Sequence, residues 1–238
     1  MSKYLVSVAI PTYNRPQMLK ESLESFIHQE GDFEIIVGSD GGVDIKNIVV
    51  DKRIRYYKHK HRGIAAACNL VRRYSTSKYI MPFADDDISL PGHVKILSDY
   101  LDTHDNIDAV YGDYEIFDGE TVKYAKTPDP LTIKEDYERM KNFQVYPHGG
   151  TMWRRNKYPR LDETLESAVD WELMFNCLEN GVRFARVPVK LWKFRTGHKH
   201  EEGTERQHEG CKIILARRGV EYRRHGKYDK TFCNTFSI

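Results

Sequence analysis

Asp85, Asp86 and Asp87 stand side by side after the apolar run Tyr79-Ile80-Met81-Pro82-Phe83-Ala84. Three adjacent carboxylates repel one another, so a fold that holds them at a strand end usually supplies a cation. Hard divalent ions such as Mg²⁺ and Mn²⁺ prefer carboxylate oxygens as ligands. A solvated acidic turn would carry the same three letters, and position separates the two readings. The triplet closes a strand-like segment, and Ser89-Leu90-Pro91 then opens a helix-like one. Open α/β sheets bind ligands at such carboxyl ends. A fourth acid, Asp170, neighbours the stripe Leu165, Val169, Leu173, Cys177, which repeats every four residues up to Asn180-Gly181, a helix stop. At the rim of a cleft, partial desolvation would raise its pKa toward a value useful for a general base. A salt-bridged helix Asp is the structural alternative.

These acids need a scaffold, and the sequence outlines one. Leu5-Val6-Ser7-Val8-Ala9-Ile10 reads as a strand, broken by Pro11-Thr12-Tyr13-Asn14-Arg15-Pro16. Leu19, Leu23, Phe26 and Ile27 then fall at i, i+4, i+7 and i+8, the apolar face of a helix. Phe33-Glu34-Ile35-Ile36-Val37 is a second strand, and Gly38-Ser39-Asp40-Gly41-Gly42 its turn. Strand, polar turn and helix in alternation predict a single α/β domain, with a mostly parallel central sheet flanked by helices. Pro147-His148-Gly149-Gly150-Thr151-Met152-Trp153 is expected to be a later strand whose glycines allow close approach of a ligand, with Trp153 either a platform or core. Lys126-Thr127-Pro128-Asp129-Pro130 reads as a loop.

The chain has 238 residues, enough for a sizeable core. A hydrophobic content of 40% and a mean hydropathy of −0.63 fit a soluble protein, and no run approaches the roughly 20 apolar residues of a membrane span. Met1-Ser2-Lys3-Tyr4 runs straight into the first strand, which leaves no room for a signal peptide. Cys68, Cys177, Cys211 and Cys233 form no Cys-x-x-Cys pair or zinc-finger spacing, so reduced thiols in a cytoplasmic protein are expected.

Five segments in order carry a resemblance. Pro11-Thr12-Tyr13-Asn14-Arg15, Glu34-Ile35-Ile36-Val37 leading to Asp40-Gly41, and Phe83-Ala84-Asp85-Asp86-Asp87 resemble the nucleotide-sugar half of family 2 glycosyltransferases, which have the GT-A fold. Leu161-Asp162-Glu163 with Asp170-Trp171-Glu172-Leu173, and Trp192-Lys193-Phe194-Arg195-Thr196-Gly197-His198, continue it over roughly the first 200 residues. The resemblance implies a GT-A, Rossmann-like domain over 1–197, with a nucleotide-sugar half at 1–111 and an acceptor half at 112–197, then a basic loop and tail at 198–238.

It also implies roles. Pro11, Thr12, Tyr13 and Asn14 would line the donor nucleotide, with Tyr13 stacking on the base and Asp40 accepting a base N–H, as in relatives that use uridine. The segment from Arg62 to Asn69 would let a helix approach the nucleotide. Asp85 would lie near the ribose or the metal's water shell, Asp86 on the metal, and Asp87 nearer the sugar or metal. His198 would reach the metal or diphosphate. Asp170 would take the acceptor proton in an inverting displacement of a nucleoside diphosphate, with Mn²⁺ or Mg²⁺ as cofactor. The sequence departs from the family pattern at Ser39, His61, Cys68, Ala84 and Val169, which leaves open the base and which acid touches metal.

Two other functions share the α/β, carboxylate-bearing plan. A sugar-1-phosphate nucleotidyltransferase would show a glycine-rich loop after the first strand, and Ile10 to Pro16 contains no glycine. A non-catalytic nucleotide-sugar module would have no need of Asp170. Net charge is only +2, yet Lys212, Arg217, Arg218, Arg223, Arg224, Lys227 and Lys230 face only Glu221 and Asp229 in sequence. That excess could hold the enzyme at anionic lipid for a saccharide or lipid-linked acceptor, or grip a nucleic acid acceptor, as in glycosylation of DNA; a solvated C-terminal helix face is the structural alternative. The sugar, the acceptor and the oligomeric state are not written in the sequence.

Overall fold

A computed structural model describes residues 3–118, 120–196 and 205–222. The first half is strand–helix alternation: β1 (Val6–Thr12), α1 (Pro16–Ile27), β2 (Phe33–Ser39), β3 (Ile54–Lys58), α2 (Ile64–Tyr74), β4 (Tyr79–Pro82), β5 (Ile88–Ser89) and α3 (His93–Thr103). The second half adds β6 (Ala109–Phe117), β7 (Val122–Ala125), α4 (Ile133–Met140), β8 (Met152–Arg154), α5 (Val169–Glu179), β9 (Phe184–Arg195) and α6 (Glu205–Ala216). All nine strands join one sheet in the order β3-β2-β1-β4-β8-β6-β9-β5, with β7 paired to β6. Of the five strands of the first half, β1 to β4 are parallel, as the alternation predicts. In the second half β8 runs antiparallel between β4 and β6, and β5 runs antiparallel to β9, so the completed sheet is mixed.

Covering both faces of the sheet explains its composition. Every residue of β2 is buried, as expected for a strand with helices on either side. Successive side chains divide between two cores: Val8, Ile10, Ile35 and Val37 join one, and Ala9 and Ile36 the other. In α1, Leu19, Leu23 and Phe26 are buried, whereas Ile27 is 46% exposed, because it falls at the frayed last turn beyond the packed stripe. The boundary expected at Tyr111 falls within β6, so the two halves share a continuous sheet. Met152–Arg154 is the strand of the Pro147–Trp153 segment, and Trp153 is fully buried in the core rather than a sugar platform.

α6 belongs to the same body. Cys211, Ile214 and Leu215 pack in the core that also holds Trp171, Met174 and Phe175 of α5. This corrects the expectation that the basic residues here face only Glu221 and Asp229. Arg217 pairs with Asp162 (2.7 Å), Arg218 with Glu172 (2.6 Å) and Glu179 (2.8 Å), and Lys212 with Glu209 (3.0 Å). Arg223, Arg224, Lys227 and Lys230 lie outside the described residues. Cys68, Cys177 and Cys211 are buried, unpaired thiols whose pKa values burial pushes up to about 12; Cys233 is outside the described residues. No described helix is long and apolar enough to cross a membrane.

Candidate active site

The carboxyl ends of the parallel strands open into a cleft of about 700 Å³. One end is lined by Pro11, Thr12, Tyr13 and Asp40, its middle by Asp86 and Asp87, and its far wall by Asp170. Strand ends set this up: β1 delivers Thr12 and Tyr13, β2 delivers Asp40, and β4 delivers the acidic triplet one turn beyond Pro82.

At the first end Tyr13 is 43% exposed and stacks on His61, with ring centroids 4.3 Å apart and planes at 22°. Asn14 adopts a positive φ of 54°, and its Oδ1 accepts the Val43 N–H at 3.0 Å. Its side chain therefore pins the Gly42–Val43 turn, where Gly42 takes a φ of 72° and a Cβ would crowd Asn14 Oδ1 at 2.0 Å. Asp40 is buried, and its two oxygens accept the backbone N–H groups of Arg62 (2.8 Å) and Gly63 (2.9 Å) at the start of α2. A carboxylate at a helix N-terminus is favoured by the helix dipole as well as by these bonds. His61 Nδ1 and His59 Nε2 lie 2.8 and 3.3 Å from the same carboxylate. The Arg62 side chain turns instead to Glu163, at 2.6 Å, and does not line the cleft.

The triplet is buried and separates into distinct roles. Asp85 is fully buried and is not among the residues that line the cleft. Arg15 lies against both neighbours, 2.5 Å from Asp85 and 2.6 Å from Asp86. Burial pushes the Asp85 pKa up to about 6, with Arg15 opposing the rise. Asp87 is raised well above the ordinary carboxylate range by burial and by the negative charge of Asp86. Its Oδ1 accepts the Arg195 N–H at 3.0 Å, while Arg195 Nε donates to the Asp86 carbonyl at 2.7 Å. Arg15 and Arg195 are functional neighbours that the motif reading did not single out.

Asp170 lies in the first turn of α5, entered through Ala168 at φ 53°, a strained conformation for a residue with a Cβ. Its Oδ1 accepts the Trp171 N–H at 3.0 Å. Across the cleft floor His148 Nε2 and the Tyr158 hydroxyl are 2.7 Å apart. Burial lowers the His148 pKa, and the nearby charge of Asp170 pulls the other way. Glu172 is occupied by Arg217 and Arg218 and is structural.

Hard-ion chemistry fits Asp86 and Asp87, the two triplet members on the cleft. Among the described residues there is no group of three or more His, Cys, Asp or Glu side chains that could hold a metal ion. His198 lies outside the described residues.

A parallel half that carries carboxylates at its strand ends, completed by antiparallel strands and a helix-borne acid on the same cleft, is a GT-A arrangement. The chain belongs to glycosyltransferase family 2: the family model "Glycosyl transferase family 2" matches residues 7–162. It is 30% identical over 209 residues to an uncharacterised glycosyltransferase of Methanocaldococcus jannaschii, covering 82% of this chain and 72% of that protein. It is 27% identical over 128 residues to the UDP-Glc:alpha-D-GlcNAc-diphosphoundecaprenol beta-1,3-glucosyltransferase WfgD of Escherichia coli, covering 51% of this chain and 50% of WfgD. Its fold matches S. aureus TarS, crystallised in complex with UDP-GlcNAc, with a TM-score of 0.72 at 17% identity. That match covers 89% of this chain and 65% of the TarS fragment, so this chain spans just under two thirds of its structural neighbour.

Proposed function

We propose that the enzyme transfers a sugar from a UDP-sugar to a hydroxyl of a saccharide or lipid-linked saccharide, with inversion and with a divalent metal ion. The observation that carries this reading is one cleft joining the Tyr13–Asp40 end, Asp86 and Asp87, and Asp170. The donor base would lie at the Tyr13 end, the diphosphate beside Asp86, and the sugar toward Asp87 and Gly149. Asp86 and Asp87 would hold Mn²⁺ or Mg²⁺; when bound, the ion neutralises charge on the leaving diphosphate. Asp170 accepts the acceptor's hydroxyl proton as that oxygen attacks the anomeric carbon. The new bond forms on the face opposite the diphosphate, whose bond to the sugar breaks.

TarS, with UDP-GlcNAc, and WfgD, named for UDP-Glc and a diphosphoundecaprenol-linked acceptor, support a uridine donor and a lipid-linked acceptor. Membrane contact would then fall to the basic residues from Arg223 onward, because the described ones are paired within the chain.

The test is release of nucleoside diphosphate from a panel of UDP-, GDP-, CDP- and dTDP-sugars, with Mn²⁺ or after exhaustive chelation. Metal-dependent turnover of a UDP-sugar is expected. Asp170→Asn should cut turnover by roughly 10² to 10⁴, the usual worth of a general base, while UDP binding is kept. Full activity after chelation would overturn the metal claim, and wild-type turnover by Asp170→Asn would move the base elsewhere.

A further inference from the structure

The proposed transfer uses Asp170 and leaves its neighbours His148 and Tyr158 without a task. All three line the cleft, and the charge of Asp170 acts on both rings. His148 directly precedes Gly149, where a Cβ would stand 3.7 Å from Asp87 Oδ2. The imidazole is therefore one residue from the triplet's surroundings and within reach of the charge of Asp170. Tyr158 is 3% exposed, and burial holds its phenol well above its ordinary pKa, so the hydroxyl keeps its proton and has to place it. The hydroxyl's one hydrogen-bond partner among the described residues is His148 Nε2, at 2.7 Å. A buried donor left unpaired costs more than a made hydrogen bond gains, so the phenol donates and Nε2 accepts. Burial lowers the His148 pKa, and the neutral ring then carries its single proton on Nδ1. Nδ1 has no hydrogen-bond partner among the described residues, and the ring is a half-buried part of the cleft wall. The pair thus sets an N–H donor beside an ionised acid that can only accept.

One oxygen of the acceptor cannot serve both groups. The attacking hydroxyl gives its proton to Asp170, and a donor on that same oxygen would draw off the electron density needed for attack. A second oxygen on the adjacent carbon can answer the Nδ1–H instead. We propose that His148, held in its Nδ1–H tautomer by Tyr158, is the acceptor-specificity residue, and that it selects a hydroxyl with a second oxygen on the neighbouring carbon, the vicinal pair of a sugar ring, over an isolated alcohol. Tyr158 is the positioning residue of the pair. The inference rests on the saccharide-acceptor reading above and names what that site requires of its acceptor.

The experiment compares wild type, His148→Phe, His148→Asn and Tyr158→Phe, with UDP-Glc and UDP-GlcNAc as donors at fixed Mn²⁺. The acceptors are phenyl glycosides of glucose, galactose, mannose and N-acetylglucosamine, and N-acetylglucosamine linked through diphosphate to an alkyl chain. The acceptor that wild type uses best is then set against its deoxy analogues, each lacking one oxygen next to the attacking hydroxyl. Loss of the oxygen that His148 reads should lower the wild-type kcat/KM about tenfold, the worth of one well-made hydrogen bond. His148→Phe should lose as much on the parent acceptor and treat parent and analogue within about twofold of one another. His148→Asn, whose amide N–H stands near the place of Nδ1, should recover part of the preference. Tyr158→Phe should raise the acceptor KM severalfold with little change in kcat, and nitrogen NMR of its His148 should move from the Nδ1–H form of wild type toward a mixture of tautomers. A His148→Phe enzyme that discriminates as wild type does, a wild type indifferent to every neighbouring oxygen, or a wild-type His148 protonated on Nε2 would each overturn the inference alone. A wild type that releases UDP but transfers to none of these acceptors would instead overturn the saccharide-acceptor reading on which it rests.

Discussion

The donor and acceptor sides of the cleft hold their carboxylates in opposite ways. On the donor side each acid is tied to its own chain: Asp40 by the start of α2, Asp85 and Asp86 by Arg15, and Asp87 by Arg195. On the acceptor side Asp170 rests on its own helix's Trp171 N–H, at the mouth of a strained entry turn. The difference fits the work proposed for each. Acids that shape a highly charged diphosphate site must be fixed before substrate arrives, or their mutual repulsion would open the strand ends. An acid that takes a proton must keep lone pairs for the acceptor, so its position has to come from the backbone beneath it. Donor-side rigidity is therefore electrostatic, and acceptor-side rigidity is a matter of packing.

Breaking the electrostatic half should cost most. Arg15→Gln removes the guanidinium from two buried carboxylates at once, and loss of one partner of a buried pair typically costs about 3–5 kcal/mol. Denaturant unfolding without metal should register this loss in full, and Mn²⁺ should restore more stability to Arg15→Gln than to wild type, since the ion supplies the missing positive charge. If Arg15→Gln unfolds at the wild-type midpoint, the triplet is held by something other than Arg15, and the contrast between the two sides fails.

Most of the scaffold was legible because it rests on local rules. The period of Leu19, Leu23 and Phe26 marks α1, the alternation of strand and turn marks β1 and β2, and Asn180-Gly181 ends α5, with Gly181 at φ 69°. The triplet's place at a strand end was legible for the same reason. What could not be read depends on distant pairing. Arg15 and Asp86 are 71 residues apart, and Arg217 and Asp162 are 55 apart, so nothing near either residue announces its partner. The two-residue β5 is too short to show a period, and it exists because β9 offers an edge to Ile88 and Ser89. The turn sequence of Asp40 likewise says nothing of the two histidines that reach its carboxylate from beyond β3.

His93 links the two sides and makes a prediction of intermediate size. It is fully buried; Ser89 Oγ lies 3.1 Å from Nδ1, and the Gly150 carbonyl lies 2.9 Å from Nε2. The carbonyl can only accept, so Nε2 carries the proton and Nδ1 accepts from Ser89. Burial pushes the His93 pKa down to about 4. The folded state thus keeps a neutral ring while the unfolded chain takes up a proton near its ordinary value of about 6.5. The resulting stability is present above that value and is lost as pH falls toward 4, by about 3 kcal/mol in total. Urea midpoints measured from pH 7 to pH 4 should fall more steeply for wild type than for His93→Gln, the difference between the two curves removing carboxylate contributions common to both. Parallel curves would mean that His93 does not join β5 to the Gly149–Gly150 loop as a neutral donor.

The smallest effect probes the packing half. Gly210 lies in the interior of α6, where alanine would ordinarily add up to about 1 kcal/mol of helix stability. Here a Cβ would meet Ser167 Oγ at 2.6 Å and the Ser167 carbonyl at 2.9 Å. That serine is not free to yield, because its hydroxyl donates to the Arg206 carbonyl at 2.7 Å and it precedes Ala168 in its left-handed conformation. Gly210→Ala should therefore reverse the usual sign and destabilise by about 1–3 kcal/mol, as overpacking does. Because α6 seats the turn that enters α5, the displaced Asp170 should lower kcat, while UDP binding, which uses the donor side, should stay at the wild-type value. A rise in melting temperature would mean that α6 does not press on Ser167. A fall in nucleotide affinity matching the fall in kcat would mean that the two sides of the cleft are not held independently.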